Sequence, residues 1–341
     1  MSQAFSTIPA RCLLRLLGAC PKHSGMKAII LQEFGGSDTL HVADVPRPEP
    51  KAEEILIRVS HAGVNPVDWK IREGYLQTMF PHRFPLIPGW DAAGTVESLG
   101  SSVQGFALGD RVYAYCRKPE VQWGTYAEFV AMRADAVAKI PDTLAFDDAA
   151  GIPLVGLTSW QVLFDTAQLR PGQTVLIHAG AGGLGSLAIQ FAKHAGARVI
   201  VTASAANHDY VRALGADDAI DYTSEDFTAA VRARHPQGID LVFATVGGKV
   251  LEDSYAVLAK GGMLVSVVGR PSQEDGDRWG VRLGYVFVSP NGDQLREIAS
   301  LVERGKVRLP AKTVLPLDDA AKAQDLSRAG KTRGKVVLAV G

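Results

Sequence analysis

"VLIHAGAGGLGSLAIQFAKHAG", residues 175–196, runs from an apolar stretch through a glycine-rich turn into a helix-length segment. Gly180, Gly182, Gly183 and Gly185 stand where side chains would keep backbone N–H groups away from a bound pyrophosphate. The spacing predicts a helix from about Gly183 to His194, whose positive end faces that anion. A bare GxGxxG match carries little information, and a merely tight turn is its alternative reading. Here a strand precedes the loop, a helix follows, and a second apolar run, "RVIV" (198–201), comes at the right remove. The stretch predicts a dinucleotide-binding turn, held by Gly180, Ala181, Gly182, Gly183 and Leu184.

Working outward, strand-like runs alternate with helical segments from Gln173 to Ser289. They are "TVLIHA", "ARVIVTAS", "DAIDY", "IDLVFATV", "GGMLVSVVG" and "RLGYVFVSP". Six such runs predict a doubly wound parallel sheet, an α/β arrangement. Upstream, from Met26 to about Ala150, short alternating strands such as "EILIRVSHAG" (54–63) are broken by Gly, Pro and Asp. After Pro290 come two helical stretches and the strands "VRLPAKTVLPL" and "GKVVLAVG". The expected organisation is a β-rich domain over 26–150, a Rossmann-type domain over 151–290, and a return to the first domain over 291–341.

The end of the second strand selects the cofactor. A carboxylate there would bind the ribose 2′-hydroxyl of NAD. "VTASAANH" (201–208) supplies none before Asp209, which removes repulsion against a 2′-phosphate. Ser204 can donate to that phosphate, and Tyr222 after the third strand is within its reach, so NADPH is the expected cofactor. Arg328, Lys331, Arg333 and Lys335 cluster late in the chain. They read equally well as a solvated helix end or as phosphate contacts, and Lys335 is counted among the cofactor residues.

Composition narrows the partners. The 341 residues are 47% hydrophobic and 21% charged, enough for a sizeable core in about two domains. Lys+Arg and Asp+Glu both total 36, so no global charge attracts nucleic acid or an anionic membrane. No apolar run reaches the ~18–20 residues that span a bilayer. Cys12, Cys20 and Cys116 are scattered without a CxxC, and the histidines are dispersed, so no metal site is expected. Residues 1–25 carry Arg11, Arg15 and Lys22 and no acid. They read as an extension from an upstream start or as a mitochondrial presequence, and either way lie outside the fold. The first reading is preferred and places the protein in the cytoplasm.

Several motifs now stand in one order: "AGVNPVDWKIREG" (62–74), "PLIPGWDAAGTV" (85–96), "GDRVYA" (109–114), "GTYAEFV" (124–130), "AAGIPLVGLTSW" (149–160), "HAGAGGLGSLAIQ" (178–190) and "LGADDAIDY" (214–222). From Met26 onward the chain resembles the medium-chain dehydrogenase/reductase superfamily, in its zinc-free quinone oxidoreductase branch. It is similar there to zeta-crystallins and to plant-type alkenal and enone reductases. The resemblance implies a GroES-like catalytic domain beside the Rossmann domain. Zinc-dependent members place a Cys at the position of Asn65, a His at that of Trp90 and a further Cys near Leu154, so all three ligands are replaced. It further implies that Thr158 contacts the cofactor, and that Val246, Val268, Phe287 and Val288 pass its nicotinamide side. A lysine frequent three residues after Ser204 is Asn207 here, a departure that bears on NADPH preference.

Without a metal, some donor must stabilise negative charge on the acceptor as hydride arrives. Asn65 occupies a lost ligand position and Lys70 follows five residues later; both are expected to act in catalysis, with Asp68 holding Lys70. The plain alternatives are a helix cap for Asn65 and a solvated helix face for Asp68 and Lys70. Tyr75 either lines the substrate mouth or packs, and is included as a site residue. Trp90 is expected to shape an apolar pocket, and Cys116 to be a packed strand residue. Quinones and α,β-unsaturated carbonyls suit such a site, because their reduced states are delocalised. The function expected is zinc-independent, NADPH-dependent reduction of such an acceptor. An enoyl-thioester reductase and a non-catalytic NADPH-binding protein are the alternatives. "LGYVFVSP" (283–290), an apolar strand at a sheet edge, predicts a homodimer.

Overall fold

The computed structural model describes residues 25–341. The proposed leader therefore lies outside the described residues, apart from Gly25, which opens the first strand.

The predicted nucleotide-binding sheet is present. Its six strands are all parallel, in the order Asp218–Ile220, Arg198–Thr202, Thr174–Ile177, Ile239–Ala244, Leu258–Ser266 and Arg282–Tyr285. The chain winds outward from Thr174–Ile177 in one direction, then returns beside it and winds the other way. The crevice at that reversal is where open α/β sheets bind ligands. Helix Gly183–His194 starts there, as the spacing predicts. The last strand ends at Tyr285, short of the expected 290, because Val286–Pro290 leave the sheet and three of them, Val286, Phe287 and Val288, line a cleft.

The second sheet has seven strands. Its path runs Lys312–Pro316, Lys335–Ala339, Glu54–Val64, Asp91–Leu99, Arg111–Tyr115 and Val137–Lys139, with Phe129–Arg133 also paired to Glu54–Val64. The C-terminal strand Lys335–Ala339 thus returns to the N-terminal unit, antiparallel to Glu54–Val64. Period-two alternation assigns the faces. Tyr113 and Tyr115 enter the core shared with the nucleotide-binding unit, and Val112, Ala114 and Cys116 enter the separate core of the β-rich unit.

A short helix, Pro66–Arg72, leaves strand Glu54–Val64 toward the cleft. Pro66 at its first position pre-sets φ, and the Asp68 carboxylate accepts the Asn65 N–H at 2.8 Å, fixing the entry. Between the two units lies a cleft of about 770 Å³. Among the described residues no helix is long and apolar enough to cross a membrane.

Candidate active site

The cofactor end of the cleft is built by close backbone approach. A Cβ on Gly180 would sit 2.8 Å from Val201 Cβ, and one on Gly185 would sit 2.6 Å from Ala179 O, so these two glycines pack loop to sheet. Gly182 differs: a Cβ there would meet only Ala179 O, at 3.5 Å, and would project into the open cradle. That cradle, at the start of a twelve-residue helix, fits a dinucleotide pyrophosphate. Gly182, Gly183 and Leu184 line the cleft, together with Thr158, Val246, Val268, Phe287 and Val288. Gly180 and Ala181 lie behind it. Ser204 and Tyr222 stand away from the cleft, at the ends of the second and third strands; Tyr222 is exposed, and Ser204 Oγ accepts from Asn207 Nδ2 at 3.0 Å.

Arg333 belongs beside Ser204, a placement the sequence conceals. Its Nε donates to Asn207 Oδ1 at 2.7 Å and a terminal nitrogen to Ala206 O at 3.2 Å, with the guanidinium over the Tyr210 ring. The cation missing at position 207 is thereby supplied from the C-terminal segment. Arg328, at the cleft mouth, is ion-paired with Glu73 at 3.0 Å.

Lys335 is not the solvated helix-end residue of the first alternative: it is a buried lysine beneath the glycine loop, and it lines the cleft beside Gly183. Gly334 N donates to Ala181 O at 3.0 Å, and a Cβ on Gly183 would strike the Lys335 stem at 2.6 Å. The ammonium donates to Val64 O at 3.0 Å and to Asn65 Oδ1, and lies 3.7 Å from Asp91. Burial lowers its pKa, while Asp91 and Asp68 raise it.

Asp91 joins the three positions that would ligate zinc in metal-dependent relatives. Its Oδ2 accepts from Asn65 Nδ2 and its Oδ1 from Leu154 N, both at 2.8 Å, and Trp90 precedes it in the chain. Burial pushes the Asp91 carboxyl up and Lys335 pulls it back. Among the described residues no three His, Cys, Asp or Glu side chains gather to hold a metal. An ammonium already pairs with the one carboxylate at this point.

Asn65 lines the cleft as a buried connector: its side-chain oxygen accepts from Lys335, and one of its two amide hydrogens goes to Asp91. Asp68 does not hold Lys70. Its Oδ2 accepts from Asn65 N and from Tyr126 Oη at 2.9 Å, and its other oxygen is buried without a partner. Burial is the main cause that raises its pKa to about 7. Lys70 lines the cleft with its ammonium over the Trp69 ring, and desolvation lowers its pKa. Tyr75 lines the mouth, 67% exposed and edge-on to Trp69. Trp90 shapes the apolar interior, in edge contact with Phe80 and Tyr115. Cys116, expected within a strand, lies one residue past the end of Arg111–Tyr115; its thiol is buried, and burial pushes its pKa up to about 12.

A phosphate cradle opening onto an apolar cleft between a doubly wound sheet and a β-rich unit defines a dinucleotide-dependent oxidoreductase. Residues 51–142 match the alcohol dehydrogenase GroES-like domain family and residues 214–338 the zinc-binding dehydrogenase family. The chain is 35% identical over 324 residues to an NADPH-dependent alkenal/one oxidoreductase of the chloroplast from Arabidopsis thaliana, covering 92% of this chain and 79% of that protein. The quinone oxidoreductase from Coxiella burnetii superposes with a TM-score of 0.84 at 35% identity, covering 93% of this chain and 100% of the other. A mycobacterial protein complexed with NADPH gives 0.83 at 32% identity, over 92% and 100%. The chain belongs to the medium-chain dehydrogenase/reductase family, in its quinone oxidoreductase branch.

Proposed function

We propose that this protein reduces quinones or α,β-unsaturated carbonyl compounds with NADPH and without zinc. The observation that carries the reading is the Lys335–Asp91–Asn65 network at the zinc locus, which commits the local carboxylate to an ammonium. NADPH, when bound, supplies the hydride. The chain's part is to seat it on the Gly182–Gly183 cradle, to hold the acceptor against an apolar wall that includes Trp90 and Phe287, and to exclude water. Preference for NADPH is supported by Ser204 and by Arg333 held at Asn207, which bring a hydroxyl and a cation to the end of the second strand. Lys70, a desolvated ammonium on the cleft wall, is placed to meet the nicotinamide ribose or the acceptor.

Supporting a homodimer, strand Arg282–Tyr285 is the open edge of the nucleotide-binding sheet. We place the protein in the cytoplasm, or in the mitochondrion if residues 1–25 act as a presequence; a fluorescent fusion to those residues distinguishes the two.

The function is tested by NADPH oxidation across quinones, enones, enoyl thioesters and saturated ketones, with a chelator present throughout. Turnover is expected with the first two classes, with a higher kcat/KM for NADPH than for NADH, and with that ratio reduced in Arg333→Gln. Activity confined to saturated ketones, or abolished by the chelator, contradicts the proposal.

A further inference from the structure

Strand Arg111–Tyr115 turns two tyrosines into the same core, and both are fully buried. Tyr113 Oη donates to Leu295 O at 2.5 Å. Tyr115 Oη, two residues on, has no hydrogen-bond partner among the described residues. A buried hydroxyl left unpaired costs about 1–3 kcal/mol, so its retention asks for a partner that is sometimes present. Tyr115 is the last residue of its strand, pairs across the sheet with Asp91, and lines the cleft in edge contact with Trp90 at 5.9 Å.

A second unused donor lies beside it. Arg117 makes no ion pair or hydrogen bond among the described residues, and its Nε is buried without a partner. The guanidinium sits over the rings of Phe80 and Phe287, 5.6 and 5.5 Å from their centroids. Those rings tilt against each other at 5.4 Å, and Phe80 meets Trp90. The Arg117 guanidinium lies close enough to act on Tyr115 through its charge and a loose hydrogen-bonding approach, short of a well-formed bond. A guanidinium has donors and no acceptor, and a phenol has one donor. The complement of such a pair is an oxygen atom carrying negative charge.

We infer that Tyr115 Oη and the Arg117 guanidinium bind the carbonyl oxygen of the acceptor and stabilise the negative charge that develops on it. This rests on the reading given under Proposed function. A hydride from reduced nicotinamide forms a C–H bond at the conjugated carbon. The C=C pair shifts toward the carbonyl, and the C=O pair moves onto oxygen, giving an enolate. From a quinone this is the enolate of an ene-dione, which becomes the hydroquinone when the carbon that received hydride loses a proton to water and the oxygens are protonated. Tyr115 and Arg117 donate to that oxygen without surrendering their protons, and water later protonates the carbon or the oxygen. Asn65 lines the same cleft, but its amide oxygen is taken by Lys335 and one amide hydrogen by Asp91, whereas Tyr115 Oη has no such partner.

The test uses 4-nitrophenol, whose anion imitates the enolate, with wild type, Tyr115→Phe and Arg117→Gln, all holding NADP+. Wild type is expected to bind the phenolate and lower the ionisation pH of the bound probe. Both variants should lose that shift and bind the phenolate at least about tenfold more weakly. Tyr115→Phe should keep the wild-type Tm or exceed it, since the deleted hydroxyl has no protein partner, while kcat on an enone falls roughly 100-fold. A probe that fails to bind wild type, or that ionises alike in all three proteins, overturns the inference. If NADPH turnover is absent while the phenolate response is present, the oxyanion site stands and the acceptor assignment falls. Turnover without the phenolate response overturns the site alone.

Discussion

Asp68 holds a proton that most aspartates release well below neutrality. Its carboxyl is buried with one oxygen unpartnered, and its pKa rises from 3.8 to about 7. Between those two values the folded chain keeps the proton and the unfolded chain has lost it. Raising pH through that window therefore removes stability. Asp68→Asn, which retains an acceptor for Asn65 N and cannot ionise, should show a flatter Tm profile from about pH 4 to pH 7 and exceed wild type above it. Parallel profiles would refute the assignment. Lys335 presents the opposite case, a charge whose removal strands another. Lys335→Met leaves the Asp91 carboxylate buried without its counter-charge, held only by Asn65 and Leu154 N, and a loss of about 3–5 kcal/mol is expected in denaturant unfolding. Adding Asp91→Asn should restore part of it; a loss below about 1 kcal/mol for the single variant contradicts the pairing.

Among elements, the glycine loop separates architecture from binding. Gly185→Ala brings Cβ against backbone at 2.6 Å and should lower Tm. Gly182→Ala meets nothing closer than 3.5 Å and should leave Tm unchanged, while weakening NADPH binding at least about tenfold because the methyl enters the cradle. Equal effects on Tm would contradict this division. The loop, its helix and the six strands were legible because apolar period and glycine spacing are local signals. The network of Asn65, Asp91 and Lys335 was not, because 270 residues separate Lys335 from Asn65 and only the return of the C-terminal strand brings them together. Arg333 was legible as one of a late basic cluster, but its partner Asn207 was hidden for the same reason, 126 residues away. Tyr115 and Arg117 gave a weaker signal still. Nothing in the letters distinguishes a tyrosine whose hydroxyl is satisfied from one that is not, as Tyr113 and Tyr115 show.

At the scale of the whole molecule, the cleft is closed by elements from both ends of the chain. The strand Arg282–Tyr285, at one edge of the all-parallel sheet, carries Leu283 and Tyr285, neither fully covered. Light scattering at micromolar concentration should report a dimer, and Leu283→Lys should shift it toward monomer without changing the far-ultraviolet circular dichroism. A wild-type monomer contradicts the pairing. The site also decides where hydride lands. If Asp91 and Lys335 occupy the zinc locus and the acceptor oxygen meets fixed donors instead of a metal, reduction takes place at the conjugated carbon. The most direct measurement follows deuterium from the transferable position of labelled NADPH into an enone, read by NMR of the product with a chelator present. The account predicts deuterium on the β-carbon and an intact carbonyl; deuterium on the carbonyl carbon, or no transfer without added zinc, would contradict it.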